Sequence, residues 1–207
     1  MSATTADLEL RVDRRRERGD RTRRTILEAA ARLASVEGLE GLSIGRLAEH
    51  LEISKSGLYA HFRSKEELQL ATVGMAGEIY ERDLVVPTMR HEPGRERLIA
   101  FCDLFLEYVR SGPFPGGCFF IASTLDPARE RSRVGAALAA VQADLLAFFA
   151  SCISDAQGRG EIATSEDPVH LAFAVDAILI GADVNFVLFR DASYLERARL
   201  EVRRRLA

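Results

Sequence analysis

Little in this chain has the spacing that catalysis or metal binding demands. Cys102, Cys118 and Cys152 stand alone, with no Cys-x-x-Cys, and the four histidines include no His-x-x-x-His. Asp167 is the one carboxylate placed three residues before a histidine, His170; a di-iron bundle needs two such motifs and further glutamates. No nucleophile elbow, Walker loop or dinucleotide fingerprint occurs. The run Gly112-Pro113-Phe114-Pro115-Gly116-Gly117 is a poor phosphate cradle, because its prolines remove N–H donors. No catalytic residue, metal ligand or cofactor is therefore expected. Cys118 follows that run at the head of an expected helix, where a helix N-terminus lowers a thiol's pKa. It reads either as a responsive thiol or as a small packing residue; Cys102 and Cys152, in apolar stretches, read as inert.

A different chemistry, that of holding a polyanion, is spelled in residues 43–62, SIGRLAEHLEISKSGLYAHF. Ile44, Leu47, Ala48 and Leu51 lie on one face of a short helix, Ile53 fills a turn, and Leu58 and Phe62 form the inner face of a second helix. Two short helices joined by so tight a turn make a helix-turn-helix. Lys55, Ser56, Gly57, Tyr59 and His61 are then left outward, as donors and small groups suited to phosphates and base edges. The same pattern also fits any helical hairpin of a bundle. Upstream, Arg11, Arg14, Arg15, Arg16, Arg18, Arg21, Arg23 and Arg24 face only Asp13, Glu17 and Asp20, a local charge of +5. This segment reads as a solvated extension or as an arm that grips phosphates or the minor groove.

The elements that position these groups are helices. All six prolines fall between Pro87 and Pro168, and each marks a helix end or first turn. No Val/Ile/Thr-rich run alternates with period two. The fold is expected to be all-α, with about nine helices. They span Thr22 to Val36; Ile44 to His50, capped by Ser43; Ser54 to about His61; Ser64 to about Val86; and Pro93 to Ser111. The remaining four run from Cys118 to about Leu125, from Asp126-Pro127 to about Ala156, from Asp167-Pro168 to Phe189, and from Asp191 to Leu206. Gly38 and Gly41 close the first helix. Three short helices followed by six mostly longer ones imply a small N-terminal helix-turn-helix module on a larger bundle.

The chain has 207 residues, 47 % of them hydrophobic and 29 % charged. That excludes global disorder, a collagen-like repeat and a disulfide scaffold. The net charge of −3 argues against nucleic acid only as an average, since the +5 cluster leaves −8 for the rest. Val169 to Phe189 is apolar but carries His170, Asp176, Asp183 and Asn185, as suits a buried helix better than a membrane span. Residues 1–20 hold no secretory apolar stretch. A cytoplasmic protein with no membrane partner is expected.

Thr25-Ile26-Leu27-Glu28-Ala29-Ala30, Glu37-Gly38, Leu47-Ala48, Gly57-Leu58-Tyr59-Ala60-His61-Phe62 and Ser64-Lys65-Glu66-Glu67-Leu68 resemble the tetracycline-repressor (TetR) family of transcription regulators. The match is dense from about residue 22 to 70; beyond it only the helical plan and length are similar. The resemblance implies a homodimer whose helix-turn-helix units enter successive major grooves of a palindromic double-stranded operator, a repressor released when a small molecule binds the C-terminal domain. Carried over by position, Ser43 reaches a phosphate, and Ser54, Lys55, Ser56 and Gly57 sit at the head of the recognition helix near bases. Tyr59 and His61 meet the sugar-phosphate backbone, and Lys65 meets another phosphate beside free helix N–H groups. Residues 1–20 are then an Arg-rich flexible extension, 21–66 the DNA-binding domain, and 67–207 the effector-binding and dimerisation domain.

Ten of the eleven phenylalanines lie between Phe101 and Phe189, and most such residues simply fill a core. The resemblance implies a cavity among them, lined by Ile79, Phe101, Phe105, Tyr108, Phe119, Phe120, Phe148 and Phe173, for an apolar or amphipathic effector. Asp144 and Asp176 interrupt apolar stretches; each either orients a polar ligand group or sits on a solvated or internally bonded face. The 168–189 helix is apolar almost all round and is expected to be buried on every side. The resemblance pairs it with the last helix across a two-fold axis, through Ile178, Gly181, Ala182, Asn185, Leu195 and Leu200. The rival reading is a redox-sensing protein acting through Cys118, or a ligand-binding helical protein, without a DNA role.

Overall fold

The computed structural model describes the backbone of residues 5–124 and 132–207, and side chains from Arg18 onward within those ranges. The side chains of Arg11, Arg14, Arg15 and Arg16 and the expected helix start at Asp126-Pro127 lie outside the described residues, as does Leu125. Among the described residues every regular element is helical. The first, α1 (Thr5–Gly41), begins well before Thr22. Residues 6–17 contain neither proline nor glycine and are mostly Leu, Arg, Glu and Asp, so nothing in the chain interrupts a helix there. Gly38, at φ 75°, breaks the axis near the end and lets Leu39 and Leu42 turn inward.

Three serines then start three helices. Ser43 caps α2 (Ile44–His50), Ser54 caps α3 (Lys55–Tyr59) and Ser64 caps α4 (Lys65–Tyr80), each accepting an N–H from three residues on. Glu67 also accepts the Arg63 N–H at 2.9 Å, so the head of α4 is held from both sides. The expected end near Val86 is not reached as a plain α-helix. Pro87 lacks an N–H, and its ring conflicts with the carbonyl four residues back, at Asp83. The chain opens into a π-turn, Glu81–Val85, just before it and then makes one more turn, α5 (Val86–Thr88).

The larger bundle follows: α6 (Arg95–Ser111), α7 (Phe119–Thr124), α8 (Arg133–Gly158), α9 (Pro168–Phe189) and α10 (Ser193–Arg205). Ser132 caps α8, and Asp167 with Pro168 opens α9. Helix α9 packs on α8, α10 and α6, and Arg199 and Arg203 of α10 both bond Asp103 of α6. Helix α1 packs on α4 and α7. By length and composition alone α8 and α9 would be able to cross a membrane, but here α9 carries the buried carboxylates Asp176 and Asp183 into the bundle. Contrary to expectation, α9 is not covered on every side: Val169, Phe173, Val184 and Leu188 form an exposed apolar stripe.

The segment 112–118 ties α1 to α9. Arg32 donates to the Pro113 carbonyl at 2.7 Å, and Arg190 reaches the Pro115 carbonyl at 3.4 Å. A Cβ on Gly116 would overlap the Ser35 carbonyl oxygen of α1. Gly117, at φ 87°, brings its backbone against Asp183 of α9, and the Asp183 carboxylate accepts the Cys118 N–H at 2.9 Å. Gly116→Ala should therefore cost about 1–3 kcal/mol, since backbone must yield. In thermal denaturation at fixed protomer concentration that lowers Tm by about 2–4 °C per kcal/mol. Gly74→Ala, inside α4 with open space around it, should raise stability by about 0.5–1 kcal/mol. A Gly116→Ala protein that melts with the wild type would show that the loop does not bear on α1.

Candidate functional site

The heads of α2 and α3 converge on one small surface. Ser43 Oγ accepts the Arg46 N–H at 3.1 Å, and Ser54 Oγ accepts the Gly57 N–H at 3.2 Å while lying 3.1 Å from Ser56 Oγ. The Lys55 side chain lies over Gly45: a Cβ there would sit 3.6 Å from Lys55 Nζ and 3.9 Å from Ser43 Oγ. Gly45, which sequence reasoning missed, is thus the gap through which the two helix heads meet. Ser54, Lys55, Ser56, Gly57 and Tyr59 are exposed, Tyr59 by 58 %. Beneath them Leu58 and Phe62 are wholly buried. The turn is made by Glu52, at φ 55°, and by an Ile53 N–H bond to Ala48, while Ile53 itself points outward rather than filling it.

His61 is half-buried, with its ring 6.3 Å from that of Phe62. Its carbonyl accepts from Arg23 Nη1 at 2.6 Å, and the Arg23 guanidinium lies 4.5 Å above the Phe62 ring centroid. One arginine of the basic cluster is therefore committed to holding the end of α3 onto α1. Its place three residues before the buried Ile26 was the only available signal. Lys65 Nζ is bonded at 2.8 Å to both the carbonyl and the carboxylate of Glu40. Arg46 holds Glu37 and Glu49, and its hydrogen bond draws the Glu37 carboxyl below the usual range.

A second site lies in the bundle. A cavity of about 350 Å³ opens between α4 with its π-turn, α6, α7 and α8. Phe101, Phe120 and Phe148 of the expected set line it, together with Tyr80, Val85 and Leu145. A smaller inner chamber shares Tyr80, Phe101 and Phe120 with this cavity and is bounded further by Phe105, Leu179, Gln142 and Asp176. Asp176 is only 6 % exposed and accepts from Gln142 Nε2 at 2.8 Å; burial holds its carboxyl above the ordinary range. Tyr80 borders both spaces, and its buried hydroxyl has no hydrogen-bond partner.

Ile79, Tyr108 and Phe119 are buried but border neither space. Tyr108 meets Tyr80 edge-on at 6.2 Å, and Phe119 meets Phe120 at 5.4 Å, so both support the wall from behind. Phe173 is corrected outright: it is 62 % exposed, on the outer stripe of α9, and borders neither chamber. Leu195 is likewise corrected, because it is buried inside its own protomer. Ile178, Gly181, Ala182 and Asn185 instead line a shallow groove with Tyr194, Arg197, Ala198 and Glu201 of α10. Leu200 is 70 % exposed beyond it.

Of the two readings of Cys118, the structure favours the small packing residue, since the side chain is buried. The Ile121 and Phe120 N–H groups at the head of α7 do favour its thiolate. Burial and the Asp183 carboxylate outweigh them and push the thiol up to about 12. Burial raises Cys102 as well, and Cys152 to about 11. Asp183 itself is raised to about 6 by burial, against the Cys118 N–H that favours its charge.

Residues 94–202 match the family model described as tetracyclin repressor-like, C-terminal domain, and residues 26–72 match that of bacterial regulatory proteins, tetR family. A TetR transcriptional regulator from Chloroflexus aurantiacus is similar, with TM-score 0.82 and 27 % identity over 90 % of this chain and 94 % of that one. A cysteine mutant of the TetR family regulator CifR, complexed with 26-bp operator DNA, has TM-score 0.75 and 27 % identity over 88 % and 94 %. AibR, in complex with isovaleryl coenzyme A and operator DNA, shares the fold at TM-score 0.68 and 24 % identity over 86 % and 94 %. No curated protein sequence matches the chain.

Two outcomes follow from the buried groups. The raised Asp183 pKa contributes stability that is present below its unfolded value of about 3.8 and lost as pH rises through about 6. Between pH 5 and 7.5 the wild type should lose about 1 kcal/mol relative to Asp183→Asn in urea unfolding; parallel pH profiles would refute the assignment. Native thiol titration should find no fast-reacting cysteine, and denaturant should expose all three. Rapid native labelling of Cys118 would reopen the redox reading.

Proposed function

Because this chain belongs to the tetracycline-repressor family of bacterial transcription regulators, we propose that it is a homodimeric operator-binding repressor released when a small molecule fills the α4–α8 cavity. The observation that carries the reading is the surface where Ser43, Gly45 and Lys55 meet beside the exposed Ser54, Ser56, Gly57 and Tyr59. It puts donors and bare backbone at the head of a helix set rigidly on Leu58 and Phe62, as major-groove docking requires. Tyr59 and His61 then reach the sugar-phosphate backbone, and Lys65 exchanges Glu40 for a phosphate. Residues 21–66 act as the DNA-binding unit and 67–207 as the effector and dimerisation domain, in a soluble, non-catalytic protein of the cytoplasm.

Helix α4 is the lever. It starts at Lys65 and ends at Tyr80 on the cavity wall. The 112–118 segment is a second link, since it sets α7 against α1. A ligand that parts these walls favours a shape in which the two recognition helices no longer match the operator. The exposed stripe of α9 through Val169, Phe173, Val184 and Leu188, with Leu200 of α10, is the apolar face that a second copy covers. The operator-bound structures of CifR and AibR support this reading by analogy.

Fluorescence anisotropy with duplexes drawn from DNA flanking the gene tests it. Lys55→Ala and Tyr59→Ala should each weaken binding by about 5- to 150-fold, the loss of about 1–3 kcal/mol. Lys65→Ala should reduce the slope of log K against log salt by about one. Removing residues 1–20 should flatten that slope further, and an unchanged slope would reject a role for the arm. Failure of the wild type to bind any flanking duplex would refute the function.

A further inference from the structure

We infer that the effector is an amphiphilic amine, whose compact ammonium head seats beside Asp176 in the inner chamber and whose apolar tail fills the outer cavity. The inference rests on the effector reading of that cavity. Asp176, Glu81 and Asp144 border the two spaces, and among the described residues no Lys, Arg or His does. Glu81 and Asp144 are exposed at the mouth, where they draw cations inward. Asp176 is buried, and the one bond received by its carboxylate comes from the neutral Gln142 amide. A buried carboxylate without a cation is an expensive arrangement. An ammonium would complete it and reverse the shift that burial imposes on the carboxyl.

Two further observations agree. The buried Tyr80 hydroxyl, bordering both spaces without a partner, is an acceptor for an ammonium N–H. The rings of Tyr80, Phe101 and Phe120 line both spaces, and an aromatic face attracts a desolvated cation lying against it. A primary ammonium also brings the N–H donors that Asp176 and Tyr80 can accept, which a trimethylammonium lacks. An anionic ligand would meet carboxylates with nothing to neutralise it. A neutral one would leave Asp176 and Tyr80 as they are. A resident metal ion is not indicated, since among the described residues no group of three His, Cys, Asp or Glu side chains converges.

Isothermal titration of the full-length protein at pH 7.5 with decylamine, decyltrimethylammonium, decan-1-ol and decanoate, all below micelle formation, tests the inference. Decylamine should bind at least ten times more tightly than the alcohol and the quaternary ammonium, with no measurable decanoate binding. Asp176→Asn, which keeps an acceptor for Gln142, should abolish the preference for the amine over the alcohol. The ligand series on the wild type stands by itself if that variant misfolds. Equal or tighter binding of the alcohol, the carboxylate or the quaternary ammonium overturns the inference, as does an amine preference that survives Asp176→Asn. Operator binding by the ligand-free wild type is measured separately, so a failure of the regulator reading is distinct from a failure of the ligand class.

Discussion

The contact on which the rest of the molecule depends is between the Asp183 carboxylate and the Cys118 N–H. It puts a charged side chain of α9 at the head of α7, deep enough that the carboxyl resists ionisation. What Asp183 gains is a fixed position for the 112–118 segment, with Gly117 too close to α9 to carry a side chain and Gly116 too close to α1. A short segment is thereby clamped from both sides by backbone and carboxylate. A displacement of α7 or α9 would meet no soft element there and would bear directly on α1.

The recognition surface is built by the opposite strategy, in which the functional groups are loose and the floor is rigid. Leu58, Phe62 and Leu47 are wholly buried, and Arg23 closes the end of α3 by a hydrogen bond and a ring contact. Lys55, Ser56 and Tyr59 then project from a frame that does not need DNA to form. Preorganisation of this kind leaves more of the contact energy for recognition.

Much of this was legible in the residues, and the failures have a common cause. Ser43, Ser54, Ser64 and Asp167 announced helix starts because capping is a local interaction between a side chain and an N–H three or fewer residues away. Phe173 was misplaced because α9 is apolar on nearly every side, and periodicity then carries no phase. Phe173 faces out and Asp176 faces in, the reverse of what polarity suggests. Tyr80 and Gln142 were missed for another reason. Tyr80 takes its place through tertiary packing, where it meets Phe101 and Phe120 of distant helices, and Gln142 matters only through Asp176, thirty-four residues away. The two readings of Cys118 stayed open because a helix terminus is visible in the sequence and the carboxylate beside it is not.

With Lys65 on a phosphate as proposed, the Lys65–Glu40 pair would bear on search as well as on binding. A lysine already neutralised by its own protein is a weak magnet for random phosphate, since any encounter must first displace the glutamate. The pair is exposed, so the exchange costs little once a phosphate is held in place by neighbouring contacts. In that role Glu40 would be a resident decoy, discounting the countless near misses along a chromosome and yielding at a properly seated site. A regulator present in few copies spends less time stalled on irrelevant sequence when its cations come with such a built-in rival.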